Sequence, residues 1–362
     1  MDHRRQAWAT VALLLCLVAL LSLSSAQALE EEQQPRMKKK QADGNSCGGR
    51  ASSVWVFGDS YADTGNLGDL GRALTHAWYD PYGQTFPSRP TGRFSDGRVL
   101  TDFIAGAMGV PTPVAYKLRR GAAARLLSRG MNYAVGGAGV LDTGFFQRNV
   151  SAQIDLFQAQ HPAGNAANPC DVAVVIVSGN DYSFAADKDN STSAAIAYIP
   201  TVVRRLREVL RRLRDDVGMR KVVVTNLHPM GCTPLFTRQL NYTSCDALAN
   251  VGAAQHNAAL QSVLAKLDPA NATYLLVDVN APFAAYVVGA ATDRFPEPRR
   301  PCCESFDADG YCGQQDDAGK RMYTLCSDPA KHFYWDDVHP TQAAWAAVAE
   351  AFRPKIREFL ST

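Results

Sequence analysis

Beyond residue 50 the chain alternates between two apolar patterns. Short, nearly continuous apolar runs occur at Val54-Trp55-Val56-Phe57 and over 172–177, 221–227 and 274–279. Runs of this length with little polar alternation predict strands buried on both faces. Between them the spacing becomes helical. Over 203–217, Val203, Leu206, Leu210, Leu213 and Val217 mark one face, while Arg204, Arg205, Arg207, Arg211, Arg212 and Arg214 fill the other. That arginine-rich face reads as a solvated helix surface rather than a polyanion site. Helical spacing also runs through 98–108, 247–267 and 341–360. Buried strands alternating with amphipathic helices predict an α/β chain, a three-layer α/β/α sandwich around a central, mostly parallel sheet. No linker or internal repeat divides residues 50–362, so they are read as one domain.

The N-terminus changes the picture of the compartment. Arg4 and Arg5 precede an apolar stretch over 7–23, and Ala26-Gln27-Ala28 supplies small residues where a signal peptidase cuts. Residues 1–28 are expected to be a cleaved signal peptide rather than a retained anchor, and 29–49 a flexible polar leader. Cleavage removes Cys16 and leaves Cys47, Cys170, Cys232, Cys245, Cys302, Cys303, Cys312 and Cys326, an even set that fits disulfides in an oxidising lumen with the pairing left open. The irregular stretch 294–328 holds four of them and reads as a stapled surface excursion. Asn149, Asn190, Asn241 and Asn271 each begin a glycosylation sequon. No later apolar run is long enough to span a bilayer, so the mature protein is expected to be soluble, without stable membrane insertion, and a monomer.

Composition excludes more than it identifies. With 46% hydrophobic residues the chain can bury a core, and 37 Lys and Arg against 35 Asp and Glu leave a net charge of +2. That balance argues against nucleic acid or an anionic membrane surface as partner. No H-E-x-x-H, paired C-x-x-C, Walker A or G-x-G-x-x-G pattern occurs at the expected sites, so no metal and no cofactor are expected.

Ligands of open α/β sheets sit beyond the carboxyl ends of the strands. The first strand runs into Gly58-Asp59-Ser60-Tyr61, where glycine permits a tight turn that presents the Ser60 hydroxyl; read blandly, Ser60 is a helix cap. In Met131-Asn132-Tyr133-Ala134-Val135-Gly136-Gly137-Ala138-Gly139, adjacent glycines let a backbone N–H approach a substrate oxygen, although such a run is also an ordinary loop. Ser178-Gly179-Asn180-Asp181 follows the second run, where the Asn180 carboxamide can donate to a developing oxyanion or simply build a turn. Near the C-terminus, Asp336 lies three residues before His339. That spacing lets a carboxylate reach the imidazole Nδ1.

In this order and these contexts the blocks resemble the GDSL esterase/lipase family of the SGNH hydrolases, in its plant branch. The resemblance extends to Gly83-Gln84-Thr85-Phe86-Pro87, the run from Pro90 to Arg98, Gln153-Ile154-Asp155, the run from Asn226 to Cys232, and Cys302-Cys303. It implies the SGNH, flavodoxin-like hydrolase fold and a secreted serine carboxylic-ester hydrolase acting through an acyl-enzyme. Ser60 is then the nucleophile, His339 the general base and later acid, and Asp336 the group that orients His339. The oxyanion hole comprises the Ser60 N–H, a glycine N–H, with Gly137 favoured over Gly136, and the Asn180 side chain. Tyr61 stands where the family name implies leucine, a change expected to affect packing more than chemistry.

The resemblance implies an ester substrate, with a short acyl group on a polar or cell-wall polysaccharide alcohol preferred. A lipase, an acyltransferase with the same triad and a catalytically idle carbohydrate-binding relative are the alternatives. Trp78, Tyr79, Tyr82 and Phe86 can line a sugar-stacking cleft or serve as packing, the latter preferred. The implied destination is the cell wall or apoplast, with the Golgi lumen as alternative.

Overall fold

The structure, a computed structural model, describes residues 47–144, 147–161, 168–189, 191–289 and 292–362. The segments expected to be a signal peptide and, up to residue 46, a polar leader lie outside the described residues, as does Asn190. Six strands, β1 (Ser53–Gly58), β2 (Val114–Ala115), β3 (Gly130–Asn132), β4 (Asp171–Ile176), β5 (Lys221–Thr225) and β6 (Tyr274–Val277), form a wholly parallel sheet in the order β2-β3-β1-β4-β5-β6. β1 and β4 sit side by side at its centre, Val54 opposite Val172 and Gly58 opposite Ile176. The valine runs of β4 and β5 suit a pleated strand covered on both sides.

The principal helices are α1 (Leu100–Ala107), α2 (Val150–Gln160), α3 (Asn180–Asp189), α4 (Thr192–Asp215), α5 (Ala247–Leu267), α6 (Asn280–Val287) and α7 (Gln342–Phe359). Successive strand side chains point to opposite faces. Val54, Val56, Val172, Val174, Ile176 and Val223 therefore pack against α1, α6 and α7, where Ile104, Phe283, Trp345 and Phe352 are buried. Trp55, Phe57, Ala173, Val175, Val222 and Val224 pack against α2, α4 and α5, where Ile154, Leu206, Leu210 and Leu260 are buried. Each fully buried side chain of this size contributes roughly 1.5–3 kcal/mol. The result is the three-layer α/β/α sandwich.

The helix starts follow capping rules. Asn149, Ser191, Asp246 and Thr341 each accept a backbone N–H from the first turn that follows. The arginine face of α4 is spent on surface pairs such as Arg205–Glu208 and Arg211–Asp215, and on Arg212–Asp155, which ties α4 to α2.

All eight cysteines after residue 46 pair, as Cys47–Cys170, Cys232–Cys245, Cys302–Cys326 and Cys303–Cys312. The last two lie within the 294–328 stretch, where β7 (Cys303–Ser305) and β8 (Tyr323–Leu325) form a small antiparallel hairpin. This stretch is more than a surface excursion. Cys302, Cys303 and Cys312 are buried with Tyr82, Phe94 and Trp335 in a satellite core. The Cys302 and Cys303 N–H groups donate to the carbonyls of Tyr334 and Trp335. The hairpin thus braces the segment that leads directly into Asp336.

Candidate active site

Ser60 stands just past the carboxyl end of β1. Gly58 makes that turn possible: its φ is +146°, and a Cβ there would lie 1.8 Å from the Ile176 carbonyl oxygen. Gln153 of α2 holds Gly58 from both sides, accepting its N–H at 2.8 Å and donating Nε2 to its carbonyl at 2.9 Å. The buried Asp59 carboxylate accepts the Tyr61 N–H and both the N–H and hydroxyl of Ser178, stitching the turn after β1 to the turn after β4. Burial pushes the Asp59 carboxyl up to about 6, against the pull of those hydrogen bonds.

Asp63 organises the glycine loop. Its fully buried carboxylate accepts the N–H groups of Gly65, Asn66 and Leu67, and that of Gly136 at 2.9 Å. This separates the two glycines. The Gly136 N–H is already used, whereas Gly137, at φ +80°, has no acceptor for its N–H among the described residues and lines the same cavity as Ser60. Asn180, the first residue of α3, also lines that cavity, with Nδ2 donating to the Ala138 carbonyl at 2.9 Å.

The Asp336 and His339 side chains meet Ser60 from the opposite end of the chain. Asp336 Oδ1 accepts the N–H groups of Val338 and His339, a tight turn that folds the imidazole back over the carboxylate. His339 Nδ1 lies 2.8 and 2.9 Å from the two Asp336 oxygens, and Nε2 lies 2.8 Å from Ser60 Oγ. Burial alone would raise the Asp336 carboxyl. The His339 charge and the hydrogen bonds from His339 and Val338 outweigh it and hold the carboxyl down at about 2. Phe94 stacks on the imidazole with ring centroids 4.8 Å apart. Such an array positions Nε2 to take a proton from Ser60 Oγ.

Several residues here escape sequence reasoning. Tyr82 is fully buried and donates its hydroxyl to Asp336 Oδ2 at 2.7 Å. Tyr61 packs on Trp345, and its hydroxyl donates to the Val338 carbonyl at 2.7 Å and lies 3.3 Å from His228 Nε2. The residue in the leucine position is therefore a polar tether on the His339 loop as well as packing. His76 and His228 line the cavity, and burial lowers their imidazoles to about 4 and about 3. Trp78, Tyr79, Tyr82 and Phe86 do not line it. Tyr82 supports Asp336, Tyr79 bonds Asp69, and Phe86 lies under the Arg98 guanidinium.

The cavity over Ser60 and His339 has a volume of about 330 Å³. A larger one, about 600 Å³, shares Met230, Leu235 and Phe236 with it. Among the described residues no group of three or more His, Cys, Asp or Glu side chains is arranged to hold a metal ion. Of the sequons, Asn241 and Asn271 occupy exposed left-handed turns, whereas Asn149 caps α2 and donates Nδ2 to Asp142 at 2.7 Å.

Residues 54–352 match the family model described as GDSL-like lipase/acylhydrolase. Two GDSL esterase/lipases of Arabidopsis thaliana are similar along most of their length. One is 37% identical over 317 residues, covering 85% of this chain and 87% of the relative. Another is 35% identical over 324 residues, covering 86% and 96%. A solved structure of a catalytic mutant of an acetylxylan esterase from Geobacillus stearothermophilus aligns with a TM-score of 0.40 at 14% identity, over 85% of this chain and 94% of that one.

Proposed function

The chain belongs to the GDSL-like lipase/acylhydrolase family and is a carboxylic-ester hydrolase, and from that premise we propose that it works through an acyl-enzyme on Ser60. The observation that carries this reading is the unbroken hydrogen-bonded series Tyr82, Asp336, His339, Ser60, opening on a cavity whose wall offers the Gly137 N–H.

In the first step His339 Nε2 takes the Ser60 proton while Oγ attacks the ester carbonyl. The ionised Asp336 keeps the other imidazole proton on Nδ1 and stabilises the imidazolium. The oxyanion is received by the Ser60 N–H, the Gly137 N–H and the Asn180 carboxamide. Collapse returns the His339 proton to the leaving alcohol. Water, activated by the same imidazole, then releases the acid and restores Ser60. The intact series argues against an idle carbohydrate-binding relative. An acyltransferase would differ only in the hydroxyl that replaces water.

The modest volume over Ser60 supports a short acyl group carried by a polar or cell-wall polysaccharide alcohol. The larger neighbouring cavity favours a second reading, a lipase, because Ile196, Met230 and Leu235 offer apolar walls to a longer chain. Comparing kcat/KM for acetyl, butyryl and octanoyl esters, with acetylated xylan alongside, separates the two. Short-acyl specificity predicts the highest value for acetyl; a rise toward octanoyl supports the lipase.

The architecture we propose is a signal peptide over 1–28, a polar leader over 29–49 and the hydrolase domain over 50–362, secreted to the cell wall or apoplast as a glycosylated monomer. Two features support that compartment: the paired cysteines, and the lack of any helix among the described residues long and apolar enough to cross a membrane.

A further inference from the structure

Two cavities meet beside Ser60, and few residues separate them. Ser183 and Asp187, one turn apart on α3, line both from one side, and Leu235 and Phe236 line both from the other. Met230 also lines both, and its side chain crosses the gap. It is rooted on the loop after β5, yet its tip rests on the turn after β4: a Cβ on Gly179 would lie 2.6 Å from Met230 Cε and 3.2 Å from Sδ. Gly179 directly precedes Asn180. The thioether therefore lies against the backbone that presents the Asn180 carboxamide.

The backbone carrying Met230 is fixed at several points. The Gly231 N–H donates to Asn250 Oδ1 at 2.9 Å, and the Gly231 carbonyl accepts the Asp246 N–H at 2.8 Å. Cys232 is bonded to Cys245, and the Met230 carbonyl accepts both the N–H and the hydroxyl of Thr233. The Leu235 N–H donates to the Asp337 carbonyl at 2.9 Å, tying the same wall to the loop that carries His339. Only the side chain is soft, being unbranched with three rotatable bonds. A methionine beside a core usually fills a gap. This one is only half buried and borders open space on two sides.

We propose that Met230 sets the acyl-chain length, its thioether dividing the cavity of about 330 Å³ over Ser60 from the neighbouring one of about 600 Å³. The side of the ester follows from the chemistry. The leaving oxygen takes its proton from His339 Nε2 and so lies toward the imidazole, whereas the Met230 tip lies at Gly179, beside the oxyanion donor. The acyl chain is the part that meets it. With the thioether in place the space next to Ser60 holds a short acyl group. Truncation joins the two cavities, and Ile196, Ile199 and Ala253 then give a longer chain an apolar lining. The proposal rests on the reading of Ser60 as nucleophile and deepens it by naming a specificity residue.

The test is the ratio of kcat/KM for p-nitrophenyl octanoate over p-nitrophenyl acetate, taken within each protein so that the amount of folded enzyme cancels. Met230→Ala is expected to raise this ratio about tenfold or more over the wild type. Adding Ala186→Phe, which fills the larger cavity from α3, is expected to bring it back to within about threefold of the wild type. An unchanged ratio in Met230→Ala overturns the partition, and so does a raised ratio that Ala186→Phe leaves in place. A shift that appears between ethyl and octyl acetate instead of between the two acyl esters overturns the acyl assignment. The readings beneath the proposal fail separately. The wild-type ratio alone tests short-acyl preference, and acetate release that survives Ser60→Ala removes the nucleophile.

Discussion

Ser60→Ala is expected to lower hydrolysis of p-nitrophenyl acetate by about 10⁴-fold or more while leaving the fold intact. Ser60 Oγ is the atom His339 Nε2 faces at 2.8 Å, so its loss removes the attacking group and leaves only the oxyanion donors and binding. Structurally little changes. The turn that presents residue 60 is held by Gly58, Gln153 and Asp59, none of which bonds the Ser60 hydroxyl. Deleting one nearly buried hydroxyl costs about 1 kcal/mol. A circular dichroism spectrum matching the wild type beside an unmeasurable kcat is the expected pair of results. A variant that still turns over at the wild-type rate shows that the acyl group never resides on this serine.

Asp336→Asn is expected to cost about 10⁴-fold in kcat through the imidazole tautomer. The Asp336 carboxylate accepts from four donors, the Val338 and His339 N–H groups, His339 Nδ1 and the Tyr82 hydroxyl. Asparagine keeps the shape but turns an NH₂ toward one of them. Where that NH₂ faces the imidazole, Nδ1 must accept, the proton moves to Nε2, and Nε2 can no longer deprotonate Ser60. The pH dependence of stability adds an independent check. The wild-type carboxyl is held at about 2, below its ordinary value of 3.8, so its contribution to stability is present above pH 3.8 and is lost as pH falls toward 2. Thermal melts of the wild type should therefore fall more steeply between pH 4 and pH 2 than those of Asp336→Asn, which lacks this titration. An Asp336→Asn enzyme with near-normal kcat and a matching acid melt contradicts the assignment.

The parts of this molecule that were legible in its sequence are those encoded locally. β1, β4, β5 and β6 read as apolar runs because both their faces are buried. β2 and β3 did not, being two and three residues long and bordered by glycine, asparagine or proline. Ser60, Asn180 and the Asp336–His339 pair were visible because each sits in a short block after a strand or within one turn. Their supports act across the chain: Tyr82 meets Asp336 over 254 residues and Tyr61 meets Val338 over 277. No periodicity carries such pairings. The acceptor that occupies the Gly136 N–H is likewise distant in sequence: Asp63, 73 residues before Gly136. Disulfide partners could not be read for the same reason, adjacent Cys302 and Cys303 bonding to different loops.

Acyl transfer through Ser60 requires a covalent intermediate on its Oγ. Its most direct test is the mass of the intact protein after reaction with an activated phosphonate ester, a mimic of the tetrahedral state that leaves the nucleophile only slowly, followed by peptide mapping. A single adduct is expected on the peptide bearing Ser60, growing in step with the loss of esterase activity and missing from Ser60→Ala. Esterase activity that persists after Ser60 is fully modified, or inactivation with the adduct on another residue, contradicts it.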